Sequence, residues 1–143
     1  MAFVKILIHV VWGTKNREPL LTKTLRPIII DHIKQNARKK GIFIDRINGY
    51  TDHLHCLIGL PADLSISKAV QLIKGESAFW VNHQKLIKSK FEWADEYFAV
   101  SVSESVINHL RVYIDRQEEH HKSSSFQEEF DDFMKAYYFH GQG

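Results

Sequence analysis

The sequence predicts a single α+β domain, an antiparallel sheet with two long helices on one face. Hydrophobic residues make up 44% of the 143 residues, which suffices for one compact domain with its own core. Short runs rich in Val, Ile and Phe alternate with longer segments of helical period. No internal repeat or interdomain linker divides the chain. We therefore expect one domain over residues 1–143.

The elements follow one another in the order β-α-β-β-α-β. Strands are predicted over residues 2–12, 42–50, 51–60 and 97–103. A first helix is predicted over residues 24–40, ended by Gly41, and a second begins at a cap formed by Asp63 or Ser65. A third helix is predicted from Ser103 or Ser105 through about Lys122. This order is the ferredoxin-like plan, βαββαβ, with an additional C-terminal helix, and it places strand three beside strand one near the sheet centre.

The charges divide the chain into a basic body and an acidic tail. Residues 1–117 hold 17 Lys+Arg and 11 Asp+Glu of the chain's 19 and 17. A basic surface fits a polyanionic ligand such as nucleic acid. The acidic segment over about residues 126–138 has aromatic residues at helical intervals, and we expect it to pack on the body or on a partner. Candidate phosphate contacts, each also typical of an ordinary solvated surface, are Lys15, Arg17, Lys74 and the cluster Arg38, Lys39 and Lys40.

Two absences bear on the compartment. No run of eighteen apolar residues occurs, so no membrane span is predicted, and the apolar start is interpreted as a first strand. A single cysteine, Cys56, excludes a disulfide within the chain. Both features fit a protein of the reducing cytoplasm.

The stretch TDHLHCLIGL places two histidines in a predicted strand. Side chains two apart on a strand share a face, so His53 and His55 point one way while Leu54, Cys56 and Ile58 point the other. Two adjacent imidazoles form half of a metal site. Two buried, hydrogen-bonded histidines would give the same pattern.

The predicted third helix, HLRVYIDRQEEHH, carries residues that favour the metal site. Residues four apart on a helix are neighbours, so Tyr113 and Gln117 project together. Gln117 offers a neutral oxygen ligand to complete a site with the two imidazoles. Tyr113, otherwise an ordinary half-buried aromatic residue, would then be placed as a nucleophile.

The pairing of DHLHCLI with YIDRQEEHH resembles the single-tyrosine HUH transposases of the IS200-like group of insertion sequences. The stretches HVVWGTKNR, KAVQLIKGESAFWVN and FEWADEYFAVSVSES support the resemblance, which covers nearly the whole chain. It implies an enzyme that uses a divalent metal, Mg or Mn, to nick and rejoin single-stranded DNA with hairpins at the element's ends. It also implies His53, His55 and Gln117 as metal ligands, Tyr113 as the nucleophile, and a homodimer whose active sites are shared between subunits.

The sequence leaves three alternatives open. One is a domesticated HUH nuclease acting on scattered palindromic repeats. A rolling-circle initiator or relaxase is a second, although such proteins usually carry further domains. The third is a non-catalytic ferredoxin-like nucleic-acid-binding module, whose exposed sheet face would carry aromatic residues. Because the central strand shows His53 and His55 there instead, the pattern favours the enzyme.

Overall fold

The computed structural model describes residues 3–120, 128 and 131–132 of the chain. It confirms the α+β fold with a four-stranded antiparallel sheet in the order β2-β3-β1-β4. The strands are β1 (Leu7–Gly13), β2 (Phe43–Gly49), β3 (His53–Gly59) and β4 (Phe98–Ser101). Strand β3 lies beside β1 in the middle of the sheet, as the ferredoxin-like plan predicts.

Two long helices cover one face of the sheet. They are α1 (Leu25–Lys39) and α2 (Ile66–His83), and the Ser65 hydroxyl caps α2 by accepting from the Lys68 amide. Leu54, Cys56 and Ile58 of β3 are buried in the core beneath these helices. Complete burial raises the pKa of the Cys56 thiol, which makes it an inert core group.

The opposite face of β3 carries His53, His55 and Leu57. A third helix, α3 (Ile107–Asp115), packs there, and Leu57 is buried with Ile107 and Ile114 in a second apolar cluster. Burying an aliphatic side chain of this size stabilises the fold by about 2 kcal/mol. This small cluster therefore seats α3 beside the two histidines.

The single helix predicted from residue 103 or 105 to about 122 is wrong in one respect. A 3-10 turn (Glu104–Val106) precedes α3, and a break at Arg116 separates α3 from a short α4 (Gln117–His120). At the break, Asn48 Nδ2 donates to the carbonyls of Ile114 and Asp115 at 3.1 and 3.2 Å. These carbonyls lie in the last turn of α3, where helix carbonyls lack an intrahelical partner.

Two further predictions concern the ends of the chain and the membrane. The acidic tail over about residues 126–138 lies outside the described residues, apart from positions 128, 131 and 132. Of the helices in the described part of the chain, none has the length and apolarity required to cross a membrane.

Candidate active site

The site forms where β3 meets the C-terminal end of α3. His53 and His55 are both completely buried, and their ring centroids lie 5.2 Å apart at an interplanar angle of 73°. The shared face that the strand period predicts is confirmed. Register with β1 sets Gly13 opposite His53 and Val11 opposite His55.

His53 is oriented by contacts at both ring nitrogens. Its Nδ1 donates to Asp52 Oδ1 at 2.8 Å, which leaves Nε2 with its lone pair. That Nε2 lies 3.3 Å from Gln117 Oε1, and Gln117 Nε2 donates to the Tyr113 carbonyl at 3.4 Å. Two electron-pair donors facing each other in a buried place are the arrangement that a shared cation stabilises.

His55 has a different neighbour. Its Nδ1 lies 2.9 Å from Nε2 of His9, a completely buried residue of β1, and the two rings stack at 5.1 Å and 22°. In the tautomer in which His55 Nδ1 carries the proton and donates it to His9 Nε2, the Nε2 atom of His55 has the lone pair that a metal needs. His9 was not among the site residues predicted from the sequence. Its place on the adjacent strand, facing the histidine side of the sheet, is the signal that could have identified it.

Tyr113 lies beside the same pair of histidines. Its half-buried ring meets His55 edge-on, with centroids 5.5 Å apart and an interplanar angle of 86°. Within one chain, the 3-10 turn and α3 carry the tyrosine back across the sheet to β3.

Arg111 fastens the tyrosine helix to β2. Its Nε and Nη2 donate to the two carboxylate oxygens of Asp45 at 2.8 and 2.7 Å. The hydrogen bond from Arg111 holds the pKa of Asp45 below its ordinary value, and the same bond raises the pKa of Arg111. A bidentate pair of this kind fixes orientation as well as distance. Nothing in the sequence pattern singled out these two residues.

The turn that carries Gln117 has its own anchor. Glu118 Oε1 lies 3.3 Å from Lys23 Nζ and 3.8 Å from Arg26 Nη2. Arg26 is buried and donates through Nη1 to the Leu21 carbonyl at 2.9 Å. The segment after the helix break is therefore tied to the start of α1, which keeps Gln117 near His53.

The candidate ligand set consists of two imidazoles and one amide oxygen. Among the described residues, no three His, Cys, Asp or Glu side chains converge as a metal-ligand group, so Gln117 is required for a third protein ligand. A set of two nitrogens and one oxygen leaves coordination positions open on an octahedral ion. A closed tetrahedral zinc site would need a fourth protein ligand. The donor types of this set are ones that a divalent ion accepts.

The candidate phosphate contacts lie in different places. Arg38, Lys39 and Lys40 end α1 just before β2, whose first residue pairs with Gly59, so they lie at the end of the sheet away from His53. Lys15 and Arg17 follow β1 directly and lie at the His53 end.

Lys74 is engaged inside the fold. Its Nζ donates to the carbonyls of Ala94, Asp95 and Glu96 at 2.6, 3.3 and 3.4 Å. Burial lowers the pKa of this half-buried ammonium. It secures the segment before β4, and a phosphate contact would require it to leave three carbonyls.

The chain therefore joins an antiparallel sheet that carries two central histidines to a helix-borne tyrosine beside them. A family model described as "Transposase IS200 like" matches residues 2–117, and the chain belongs to the IS200-like transposases. It is 25% identical over 114 residues to the ISDra2 transposase TnpA of Deinococcus radiodurans, across 76% of this chain and 81% of that protein.

Two solved structures share the fold. A proposed transposase from Deinococcus radiodurans R1 aligns with a TM-score of 0.66 at 24% identity, over 81% of this chain and 93% of its own. A REP-associated tyrosine transposase bound to a REP hairpin aligns with a TM-score of 0.63 at 19% identity, over 85% and 72%. These likenesses confirm the fold that the sequence predicted.

Proposed function

We propose that this transposase nicks and rejoins single-stranded DNA through a covalent link to Tyr113. The observation that supports the proposal is the meeting of Tyr113, His53, His55 and Gln117 in one buried corner of the sheet. The contact of the Tyr113 ring with a candidate metal ligand supports its assignment as the nucleophile for a phosphate bound there.

His53, His55 and Gln117 would hold the divalent ion that the family resemblance implies. When bound, such an ion polarises a phosphate oxygen of the scissile bond. Asp52 and His9 would fix the two ring orientations by holding the Nδ1 atoms. Burial of both imidazoles keeps competing water away from these ligands.

The Tyr113 oxygen would attack the scissile phosphorus. A bond from the tyrosine oxygen to phosphorus forms as the bond to the 3′ oxygen breaks, which gives a 5′-phosphotyrosine and a free 3′ hydroxyl. The phenol has an ordinary pKa of about 10, so its proton passes to a base as the leaving oxygen takes one up. Because one phosphate ester replaces another, attack by a 3′ hydroxyl rejoins the strand without an energy source.

Hairpin-bearing DNA is the substrate that we favour. The related REP-associated transposase is bound to a REP hairpin, and the resemblance of this chain implies hairpins at insertion-sequence ends. A domesticated nuclease acting on repeats would use the same site. A non-catalytic module that binds nucleic acid on its open sheet is less well supported, because α3 covers the face of β3 that carries the histidines.

The homodimer with shared sites stays a prediction from the resemblance. The contacts of Tyr113 with His55 and of Gln117 with His53 are made within one chain. They support a site that each protomer can complete by itself. A mixing experiment, described in the Discussion, distinguishes the two assemblies.

The test is a covalent adduct that survives SDS. Wild-type protein with Mn²⁺ and a hairpin-bearing single strand should give the adduct, with the phosphate mapped to Tyr113 by mass spectrometry, and EDTA should prevent it. Tyr113→Phe removes one oxygen and should bind the DNA without forming an adduct. Tyr97→Phe is the matched control, since Tyr97 lies beside Lys74 on the helix side of the fold. Full adduct formation in EDTA or by the Tyr113→Phe protein would overturn the proposal.

A further inference from the structure

Two basic loops meet at the end of the sheet where His53 lies. The first, residues 14–18, follows β1, and its Thr14 amide donates to the Asp52 carbonyl at 2.8 Å. The second, residues 84–92, follows α2 and reaches the first through a bond from the Lys15 amide to the Glu92 carbonyl at 3.0 Å. Both loops therefore border the strand end that presents the first histidine of the site.

Glu92 joins the cations of the two loops. Its carboxylate lies 2.7 Å from Lys15 Nζ and 3.1 Å from Lys90 Nζ. The loops hold five cationic side chains and only two carboxylates, so the shared glutamate leaves a cationic excess. We call these five exposed cations the basic rim: Lys15, Arg17, Lys85, Lys88 and Lys90.

The backbone of both loops is strained. Three non-glycine residues of the described chain have positive φ angles, namely Asn16 at 57°, Arg17 at 54° and Lys85 at 54°, and all three lie in these loops. Long side chains rarely adopt this left-handed conformation, which costs free energy unless the surroundings impose it. Such strain clusters where a protein positions side chains for a ligand.

The Asn82 side chain restrains the second loop through two hydrogen bonds to the backbone of Phe91. Its Nδ2 donates to the Phe91 carbonyl at 2.9 Å, and its Oδ1 accepts from the Phe91 amide at 2.8 Å. The Leu86 amide donates to the Val81 carbonyl at 3.2 Å. The loop is therefore pinned at both ends around an open groove, with Lys85 and Lys88 pointing cations outward. In the described part of the chain, neither lysine has a carboxylate within ion-pair distance.

We propose that the basic rim binds the phosphates of a DNA strand and leads it to His53. This inference rests on the proposed function, since it assigns the strand a path to that site. Pre-positioned cations bind a phosphate backbone at a lower entropic cost than flexible ones. It adds Lys85, Lys88 and Lys90 to the two phosphate contacts predicted after β1, and it gives no such role to Lys74 or to the end of α1.

The test compares two charge reversals of equal size. Lys85→Glu with Lys88→Glu changes the rim, and Lys34→Glu with Lys68→Glu changes two exposed lysines of the helix layer. Affinity is measured by fluorescence anisotropy with a labelled oligothymidine strand and a labelled DNA hairpin over a range of salt. The rim variant should bind about tenfold or more weakly at low salt, and the slope of log affinity against log salt should fall by about 1 to 2. The control should keep both values near wild type.

Lys85→Gly adds a readout that a purely structural loop would not give. Glycine accepts the positive φ, so the thermal midpoint should rise while DNA affinity falls. Equal losses of DNA affinity in the rim and control variants would overturn the proposed role of the basic rim. Tighter binding of an acidic protein such as casein than of DNA would also overturn it. Wild type that binds DNA through the rim yet forms no adduct would overturn the proposed function alone. An active wild type whose rim variant binds normally would overturn the rim alone.

Discussion

Arg111 lies two residues before Tyr113 in α3, and its guanidinium donates to both carboxylate oxygens of Asp45. The Asp45 side chain lies on β2, so the pair fastens α3 to the sheet of its own chain. Asn48, on the same strand, bonds the last carbonyls of α3. The orientation of Tyr113 over His55 therefore depends on two contacts that lie outside the candidate site.

Asp45→Ala should slow adduct formation more than it weakens DNA binding. Loss of the bidentate contact lets α3 shift, and a shift of about 1 Å at a nucleophile can cost a hundredfold in rate. We expect a fall of about tenfold to a hundredfold in the single-turnover rate at saturating DNA. Glu104→Ala is the control, because it removes an exposed pair with Lys5 near the same helix.

The exchanged pair, Asp45→Arg with Arg111→Asp, should recover part of the rate. Hydrogen exchange gives a readout independent of chemistry, since the amides of α3 should lose protection in the alanine variant and regain it in the exchanged pair. Unchanged rate and unchanged protection in Asp45→Ala would show that the ion pair does not position Tyr113.

The ion pair of Asp45 with Arg111 makes its contribution to the stability of the fold depend on pH. The bond from Arg111 depresses the pKa of Asp45 from its ordinary value of 3.8. For a depressed carboxyl, the stabilisation is fully present above the unfolded-state pKa and is lost as pH falls through the folded-state value. The stability difference between wild type and Asp45→Asn should thus be constant near neutrality and shrink below pH 3.8. Denaturant unfolding at a series of pH values measures it, and a difference that grows on acidification would contradict the assignment.

The alternation along β3 was readable from the sequence, because a strand places His53 and His55 on one face whatever surrounds it. Tyr113 and Gln117 were also identified, although the helix expected to join them breaks at Arg116. At that break the side-chain amide of Asn48, a residue far away in the chain, bonds the Ile114 carbonyl. The helical period therefore predicted that Tyr113 and Gln117 lie close together, but it could not predict the break between them.

Other parts of the site had no local signal. The ion pair of Asp45 with Arg111 joins residues 66 positions apart, and each alone resembles a solvated surface charge. Lys74 was grouped with the phosphate contacts because a sequence does not show that three carbonyls surround its ammonium. Only the folded chain distinguishes a cation that binds its own backbone from one that faces solvent.

His9→Phe should weaken metal binding while the fold persists. Phenylalanine keeps a ring stacked on His55 but cannot hold its Nδ1 at 2.9 Å. Loss of such an orienting partner typically lowers metal affinity by about 10- to 100-fold. Isothermal titration with Mn²⁺ measures it. His32→Phe is the matched control, because His32 stacks on Trp80 in the helix layer and bonds Glu76. Equal Mn²⁺ affinities in wild type and His9→Phe would remove His9 from the site.

Mixing two inactive proteins distinguishes a site within one chain from a shared site. His55→Ala keeps Tyr113 and loses a candidate ligand, whereas Tyr113→Phe keeps the ligands and loses the nucleophile. Because Tyr113 and Gln117 contact the histidines of their own chain, we expect the mixture to form no adduct. The subunits must first exchange, which dilution and reconcentration of differently labelled proteins would establish by energy transfer. Recovery of the adduct in the mixture, on the Tyr113 of the His55→Ala chain, would instead establish the homodimer with shared sites that the family resemblance implies. In that case the same-chain contacts would describe a resting arrangement of α3.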